Sequence, residues 1–181
     1  MNNRKVYISG EIVQEVDAKI SIFDSAVLLG DTVTESTRTF NFKPFKLDEH
    51  LERLYKSFKL TRIDPQMTIE EMKKVSLELL EINKDNYKAN EDCWLVHNIS
   101  RGHSITGGNP ALQVSKPTVM IYTQPMNLVL WAPFYTKGCH AVTPPTRMVP
   151  SQSLDARIKN RSRLFYTLAE IEAKLVDPDA Q

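Results

Sequence analysis

The stretch GDTVTESTRTFNFKPFKLDEHLERLYKSFKL, residues 30–60, contains a strand pattern, a turn and a helix pattern in succession. Threonine and valine in its first part favour extended geometry. Asn41 and Pro44 are turn formers between aromatic residues, and they predict a hairpin connection. Asp48 is the predicted N-cap of the helix that follows. The apolar residues that recur at helical spacing are Leu47, Leu51, Leu54, Phe58 and Ile63.

The sequence on either side predicts further strands and one more helix. Before the stretch, KVYISG, EIVQEV and AKISIFD alternate apolar and polar residues, as short strands do. After it, Thr68 and Glu71 form a predicted capping box at the start of a second helix. The predicted buried stripe of that helix is Ile69, Met72, Val75, Leu79 and Ile82. CWLVHNIS and PTVMIYTQP then predict two strands, so the order of elements indicates an α+β fold.

The last part of the sequence predicts the beginning of a second domain. Residues 127–144, NLVLWAPFYTKGCHAVTP, have a pattern that does not decide between helix and strand. Pro144, Pro145 and Pro150 mark a bend after this segment. We therefore expect a small N-terminal α+β domain at residues 1–128 and the incomplete start of a larger domain at residues 129–181.

A cationic cluster precedes the last helix pattern. Within LDARIKNRSRLFYTLAEIEAK, residues 154–174, Lys159 lies among three arginines, and Ser162 is the predicted start of the helix. A helix N-terminus and neighbouring cations lower the pKa of a lysine, which makes its amine a nucleophile or base near neutral pH. The alternative from charge alone is an exposed basic turn. The predicted apolar stripe of the helix is Leu164, Leu168, Ile171 and Leu175.

Other polar residues are weaker candidates for a site. Glu35 and Arg38 fall on opposite faces of a regular strand, where they would be ordinary charges. His50 and Arg53 share one helix face, and an arginine there is able to clamp a phosphate or carboxylate through two hydrogen bonds. His103 has no partner at metal-ligand spacing, so no metal site is predicted.

Composition excludes several classes of protein. The chain has 181 residues and a net charge of +1, whereas dedicated nucleic-acid binders carry a basic excess. Its N-terminus lacks the apolar core of a signal peptide, and no apolar run approaches the length of a membrane span. Cys93 and Cys139 are the only cysteines, which favours a reducing, cytoplasmic location.

Three segments in order resemble one enzyme family. SIFDSAVLLGDTVTESTR, PFKLDEHLERLYKS and IKNRSRLFYTLAEIEA are similar to the class IV, or fold-type IV, aminotransferases, which use pyridoxal 5'-phosphate. The resemblance implies a two-domain, D-amino-acid-aminotransferase-like fold and a homodimer. It implies that Lys159 forms the Schiff base with the cofactor and that Arg53 binds the cofactor phosphate.

Differences from the family motifs bear on the substrate. Leu164 replaces a tyrosine frequent in branched-chain enzymes, AVLLG lacks an aromatic residue common in that segment, and Thr34 replaces a usual phenylalanine. Thr106 and Gly108 stand where D-amino-acid enzymes carry an arginine and a histidine, which disfavours that subfamily.

The spacing of Glu35 and Arg38 is that of branched-chain-like members. The resemblance therefore implies a substrate-binding role for both. Arg38 is the first candidate for binding the substrate carboxylate, and Arg101 is the second.

The resemblance implies amino-group transfer from an amino acid, most plausibly branched-chain, to a 2-oxo acid. The alternatives are a D-amino-acid or amine transaminase, an aminodeoxychorismate-lyase-like enzyme of the same fold, or a non-catalytic fragment. In the family, the glutamate that holds the cofactor's pyridinium proton follows the lysine helix. In this sequence, no strand that would carry that glutamate follows the lysine helix before Gln181. We therefore expect a fragment of a longer protein with exposed apolar surface on its second part.

Overall fold

The computed structural model of the chain describes residues 3–88, 91–103 and 116–181. The sequence differences at Thr106 and Gly108 therefore lie outside the described residues. The described strands are β1 Lys5–Ile8, β2 Glu11–Gln14, β3 Thr32–Phe40, β4 Lys43–Pro44, β5 Cys93–Ser100 and β6 Thr118–Pro125. The described helices are α1 Ser25–Leu28, α2 Leu47–Thr61, α3 Ile69–Asn83, α4 Leu128–Trp131, α5 Phe134–Lys137 and α6 Leu164–Val176.

The strands form one antiparallel sheet in the order β2-β1-β6-β5-β3-β4. The α+β class is thus confirmed. The hairpin turn between β3 and β4 also lies where it was predicted: Asn41 and Phe42 adopt positive φ angles, and Thr39 faces Pro44. The longest pairings join β5 to β3 and β6, so β5 is a central strand and its side chains are buried on both faces.

Helices α2 and α3 contribute the other half of the core. The predicted α2 stripe is confirmed, because its four residues within the helix are buried, and so is the fifth, Ile63, which follows the end of the helix. In α3, Met72 and Leu79 are buried as predicted, but Ile82 is 42% exposed and Leu80 is buried in its place. The strand residues in the same cluster include Val33, Cys93, Leu95, Ile99, Val119 and Ile121.

Of the two helix N-caps predicted from the sequence, the one at α3 is confirmed and the one at α2 is wrong. At α3, the Thr68 hydroxyl accepts a hydrogen bond from the Glu71 amide at 3.1 Å, and the Glu71 carboxylate accepts one from the Thr68 amide at 2.7 Å. The predicted capping box is therefore confirmed. The predicted Asp48 cap of α2 is wrong, because the helix already begins at Leu47, after Lys46 in the left-handed region. Asp48 lies in the first turn, where its charge suits the helix dipole.

The segment AKISIFD was predicted as a strand, and that prediction is wrong. Asp24 instead caps the short helix α1, since its carboxylate accepts hydrogen bonds from the Ala26 amide at 2.8 Å and the Thr118 hydroxyl at 2.5 Å. A buried aspartate with these two partners fixes a turn rather than an extended edge.

The contacts divide the chain into two compact units. The first contains Met1–Met126 and Arg157–Arg161, and the second contains Asn127–Ala156 and Ser162–Gln181. The expected division at residue 128 stays a prediction. Among the described residues, no helix combines the length and the apolar character needed to cross a membrane.

In the second unit, the segment whose pattern was undecided contains the short helices α4 and α5. Helix α6 begins at Leu164 rather than at Ser162, without a side-chain cap. Its predicted apolar stripe exists but is exposed, with Leu164 at 72% and Leu175 at 82%. This agrees with the expected apolar surface on the second part of the chain.

Candidate functional site

A buried carboxylate in β3 binds two cationic side chains of α2. Arg53 donates to Glu35 through Nε to Oε2 at 2.6 Å and through Nη2 to Oε1 at 2.7 Å, and Nδ1 of His50 lies 3.0 Å from Oε1. The two α2 residues are three positions apart, so one helix face presents both to the strand. Glu35 itself has no exposed surface. A two-pronged Arg–carboxylate contact of this kind fixes the plane of the guanidinium.

The charge of Glu35 is maintained by its hydrogen bonds. Burial alone would raise the pKa of the Glu35 carboxyl group. Hydrogen bonds from Arg53, the Ser36 amide and His50, together with the charge of Arg53, outweigh burial and hold that pKa below its ordinary value. Glu35 therefore stays ionised near neutral pH and remains an effective anchor for Arg53.

Arg53 is anchored on one side and open on the other. Half of its side chain, 51%, is exposed, although its partner Glu35 is fully buried. His50 beside it is largely covered, with 23% of its side chain exposed. The guanidinium thus has a fixed orientation and an outward surface, which is the arrangement needed to receive an anionic group such as a phosphate.

Lys159 lies against the same part of the first unit. Its carbonyl accepts a hydrogen bond from the Thr34 amide at 2.8 Å, and Asn160 next to it pairs with Val33. The Lys159 amide donates to the Ser57 hydroxyl at 3.3 Å, and that hydroxyl donates to the Arg53 carbonyl at 3.2 Å. One serine therefore connects the main chain at Lys159 with that at Arg53, and Lys159 is half-buried.

Arg38 lies on the other face of β3 from Glu35, as the strand alternation predicted. Its guanidinium carbon lies 3.9 Å from the centre of the Phe40 ring. The buried Nε atom of Arg38 has no hydrogen-bond partner among the described residues. The structure therefore does not bring Arg38 together with Glu35, and the substrate-binding role of both stays a prediction.

Arg101 holds the end of α2. Its Nε donates to the Asp31 carboxylate at 2.7 Å, and its terminal nitrogens donate to the carbonyls of Thr61 and Arg62, both at 2.9 Å. These contacts satisfy carbonyl groups that the helix leaves unpaired at its C-terminus. The role of Arg101 as the second candidate for binding the substrate carboxylate stays a prediction.

His97 and Ser76 were not predicted from the sequence as residues near the candidate site. His97 in β5 lies directly opposite Glu35 in the β3–β5 register and is fully buried. Its Nε2 lies 2.8 Å from the hydroxyl of Ser76 in α3. The alternation of CWLVHNIS does place His97 on the same face as Leu95 and Ile99, but the sequence contains no pattern that pairs this strand with Glu35.

His97 makes the stability of the fold depend on pH. Burial lowers the pKa of the His97 imidazole from 6.5 to about 4. Below pH 6.5 the unfolded chain therefore binds a proton that the folded chain does not bind until about pH 4. We expect the free energy of unfolding to fall by about 1.4 kcal/mol per pH unit from this group as the pH drops through that window.

Urea unfolding of the wild type and of His97→Leu at pH 7 and pH 5 measures this contribution. The wild type is expected to lose about 2 kcal/mol more than the variant between the two values. Equal losses in both proteins would show that His97 is not the titrating group. His50, His103 and His140 are present in both proteins, so the comparison isolates the change at His97.

Comparison with known proteins identifies the family. The profile of the amino-transferase class IV family matches residues 32–180. A putative branched-chain-amino-acid aminotransferase of Methanocaldococcus jannaschii is 35% identical over 175 residues, which are 97% of this chain and 57% of the relative. A D-alanine aminotransferase of Staphylococcus epidermidis is 32% identical over 120 residues, 66% of this chain and 41% of the relative.

A solved structure shares the fold. The branched-chain aminotransferase of the archaeon Thermoproteus uzoniensis, determined with norvaline, superposes with a TM-score of 0.78 at 24% sequence identity. The match covers 96% of this chain and 57% of that structure. The chain thus spans 57% of the length both of this structure and of the relative from Methanocaldococcus jannaschii. It belongs to the class IV aminotransferase family.

Proposed function

We propose that the protein containing this chain transfers an amino group from a branched-chain amino acid to a 2-oxo acid with pyridoxal 5'-phosphate as cofactor. The observation that carries the proposal is the attachment of the Lys159 main chain through Ser57 to α2, the helix that presents Arg53. Its carbonyl is also held by the Thr34 amide of β3, next to the Glu35 that anchors Arg53. The family and the name of the relative from Methanocaldococcus jannaschii support the same reaction.

In this proposal each side chain has one task. Arg53 binds the cofactor phosphate with the exposed side of its guanidinium, while Glu35 and His50 hold it in place. Lys159 would supply the amine that holds the cofactor as a Schiff base. Once the substrate amine has displaced it, the freed Lys159 amine would carry the proton at the reacting carbon. The bound cofactor supplies the electron sink.

Arg38 is our first choice for the substrate carboxylate. Its Nε has no hydrogen-bond partner among the described residues, and a buried guanidinium nitrogen favours a charged acceptor. Glu35 and Arg101 belong to the same proposed set of substrate residues. Because each already forms a short ion pair within the chain, we rank them below Arg38.

We also propose that the protein is a cytoplasmic homodimer. In the first unit, five neighbouring apolar side chains are between 51% and 70% exposed, and a second copy would cover them: Ile22, Phe23, Val27, Leu28 and Leu29. Cys93 and Cys139 are free thiols, which suits a reducing compartment. Sedimentation of the intact protein measures its oligomeric state.

Amino-donor kinetics on the intact protein test the proposed reaction. With cofactor and a panel of 2-oxo acids, leucine is expected to react faster than D-alanine or a primary amine. Faster turnover of D-alanine would favour the D-amino-acid alternative, which the relative from Staphylococcus epidermidis supports. Absence of both cofactor binding and turnover would reject the proposed reaction in favour of a non-catalytic protein.

A further inference from the structure

One face of α2 orients the arginine and also binds the segment that contains the lysine. His50, Arg53 and Ser57 are three and four positions apart in the helix, so they share the face that packs against β3. The side chains of His50 and Arg53 bind the Glu35 carboxylate. The side chain of Ser57 binds the main chain of Lys159 instead. The helix thus contacts both parts of the candidate site through one row of side chains.

The two hydrogen bonds of the Ser57 hydroxyl have fixed directions. A carbonyl oxygen is only an acceptor, so the hydroxyl donates its single hydrogen to the Arg53 carbonyl at 3.2 Å. An amide N–H group is only a donor, so the hydroxyl accepts from the Lys159 amide at 3.3 Å. Ser57 is fully buried, where water does not replace a lost partner. An alanine at this position would provide neither bond.

These contacts complete a closed ring of residues. The Ser57 hydroxyl joins the Lys159 amide to the Arg53 main chain. The Arg53 guanidinium binds Glu35 at 2.6 Å and 2.7 Å, and Glu35 is the neighbour of Thr34 in β3. The Thr34 amide donates to the Lys159 carbonyl at 2.8 Å, which closes the ring. Both hydrogen-bonding groups of the Lys159 main chain are therefore held, one by the helix and one by the strand.

The residues on either side of Lys159 attach the segment at other points. Ile158 packs against the hydrophobic core of the first unit, and Asn160 pairs with Val33 of β3. These contacts remain when Ser57 is replaced. The loss of the Ser57 hydroxyl should therefore free the amide of Lys159 without detaching the segment from the unit.

We propose that Ser57 is a positioning residue that fixes the main chain of Lys159 relative to the anchored Arg53. Its consequence for amino transfer rests on the proposed function, in which Lys159 carries the reacting amine and Arg53 binds the cofactor phosphate. Its effect on the Lys159 main chain does not depend on any ligand. A fixed main chain limits the directions from which the amine reaches the bound cofactor, and fewer wrong directions mean a larger productive fraction.

Amide hydrogen exchange of the intact protein without cofactor tests this restraint directly. In Ser57→Ala, the Lys159 amide is expected to exchange about tenfold faster than in the wild type, because its acceptor is missing. The Thr34 amide, which donates to the Lys159 carbonyl, should change much less. Ser57→Thr keeps a hydroxyl that is able to bond to the preceding helix turn, and it should restore the wild-type rate at Lys159.

Thr61→Val is the matched control for Ser57→Ala. The Thr61 hydroxyl lies one turn further along α2 and donates to the Ser57 carbonyl at 2.9 Å, the same kind of helix bond that Ser57 makes to Arg53. Its removal should leave both the exchange rate at Lys159 and turnover unchanged. Equal acceleration of exchange throughout α2 and β3 in Ser57→Ala would indicate a general loss of stability, and it would overturn the positioning role.

Steady-state kinetics of the intact protein with cofactor give the second reading. We expect Ser57→Ala to lower kcat about tenfold, while the KM for the amino donor changes by less than about twofold, because the groups that bind the donor stay in place. Ser57→Thr should recover most of the lost kcat.

The two readings separate the possible outcomes. An unchanged exchange rate at Lys159 in Ser57→Ala would overturn the proposal. An unchanged kcat despite faster exchange would overturn the link between Ser57 and the reaction. Absence of turnover in the wild type would reject the proposed function, while the exchange result would still decide the effect of Ser57 on the lysine main chain.

Discussion

Replacement of Lys159 by alanine is expected to lower the rate of amino transfer by at least about a thousandfold. The amine has two tasks in the proposed reaction, covalent attachment of the cofactor and proton movement, and the alanine side chain supplies neither. The main chain at this position is held by Thr34 and Ser57, so the loss should reflect missing chemistry rather than a displaced segment. Steady-state turnover with the best amino donor measures it.

Lys56→Ala is the matched control for Lys159→Ala. Lys56 is a cation of α2 with 74% of its side chain exposed, and its contact with Glu52 is long, at 3.9 Å. Its removal should leave turnover unchanged. Borohydride reduction followed by peptide mass spectrometry gives an independent reading, because the cofactor is expected on the peptide that contains Lys159. Attachment at another lysine, or retained activity in Lys159→Ala, would refute the assignment.

The sequence predicted best those elements that a local pattern specifies. The apolar spacing of α2 depends only on residues within one helix, and the Thr68–Glu71 cap depends on residues three positions apart. The first residue of a helix is less well determined by the sequence where several polar residues stand near its start. Asp48 has the chemistry of a cap, but the turn after Pro44 brings Lys46 into the left-handed region and starts α2 earlier.

The arrangement around Glu35 could not be read from the sequence. Strand alternation separated Glu35 from Arg38 correctly, yet it contains no information about which helix packs over either face. The pairing of Glu35 with Arg53 depends on the packing of α2 against β3, and the position of His97 depends on the β3–β5 register. Both are tertiary contacts between residues far apart in the chain. The resemblance selected Arg53 and Lys159 but did not indicate that a buried carboxylate holds the arginine.

Glu35 and Arg53 differ in burial, since Glu35 is fully buried and Arg53 is half exposed. Removing one partner should therefore cost a different amount of stability from removing the other. Arg53→Met leaves the fully buried Glu35 charge with only His50 and the Ser36 amide as hydrogen-bond donors in the described residues. We expect it to lower the free energy of unfolding by about 2 kcal/mol at pH 7, below the usual range for a broken buried pair because Arg53 is half exposed. Glu35→Gln should cost about 1 kcal/mol, since the freed guanidinium is able to turn into water. Urea unfolding measures both values.

The double variant decides whether the stability lost in Arg53→Met comes from the buried Glu35 charge that is left without its arginine. In Arg53→Met with Glu35→Gln, no buried charge remains, and the amide keeps two possible hydrogen-bond partners. We therefore expect the double variant to be more stable than Arg53→Met alone, a non-additive result for residues in direct contact. Lys59→Met, an exposed cation on the same helix, should change stability by less than about 0.5 kcal/mol. Strict additivity of the two single changes would mean that Glu35 does not depend on Arg53 for its charge. The buried carboxylate would then be stabilised mainly by His50 and the main chain, and it would not explain the fixed orientation of Arg53.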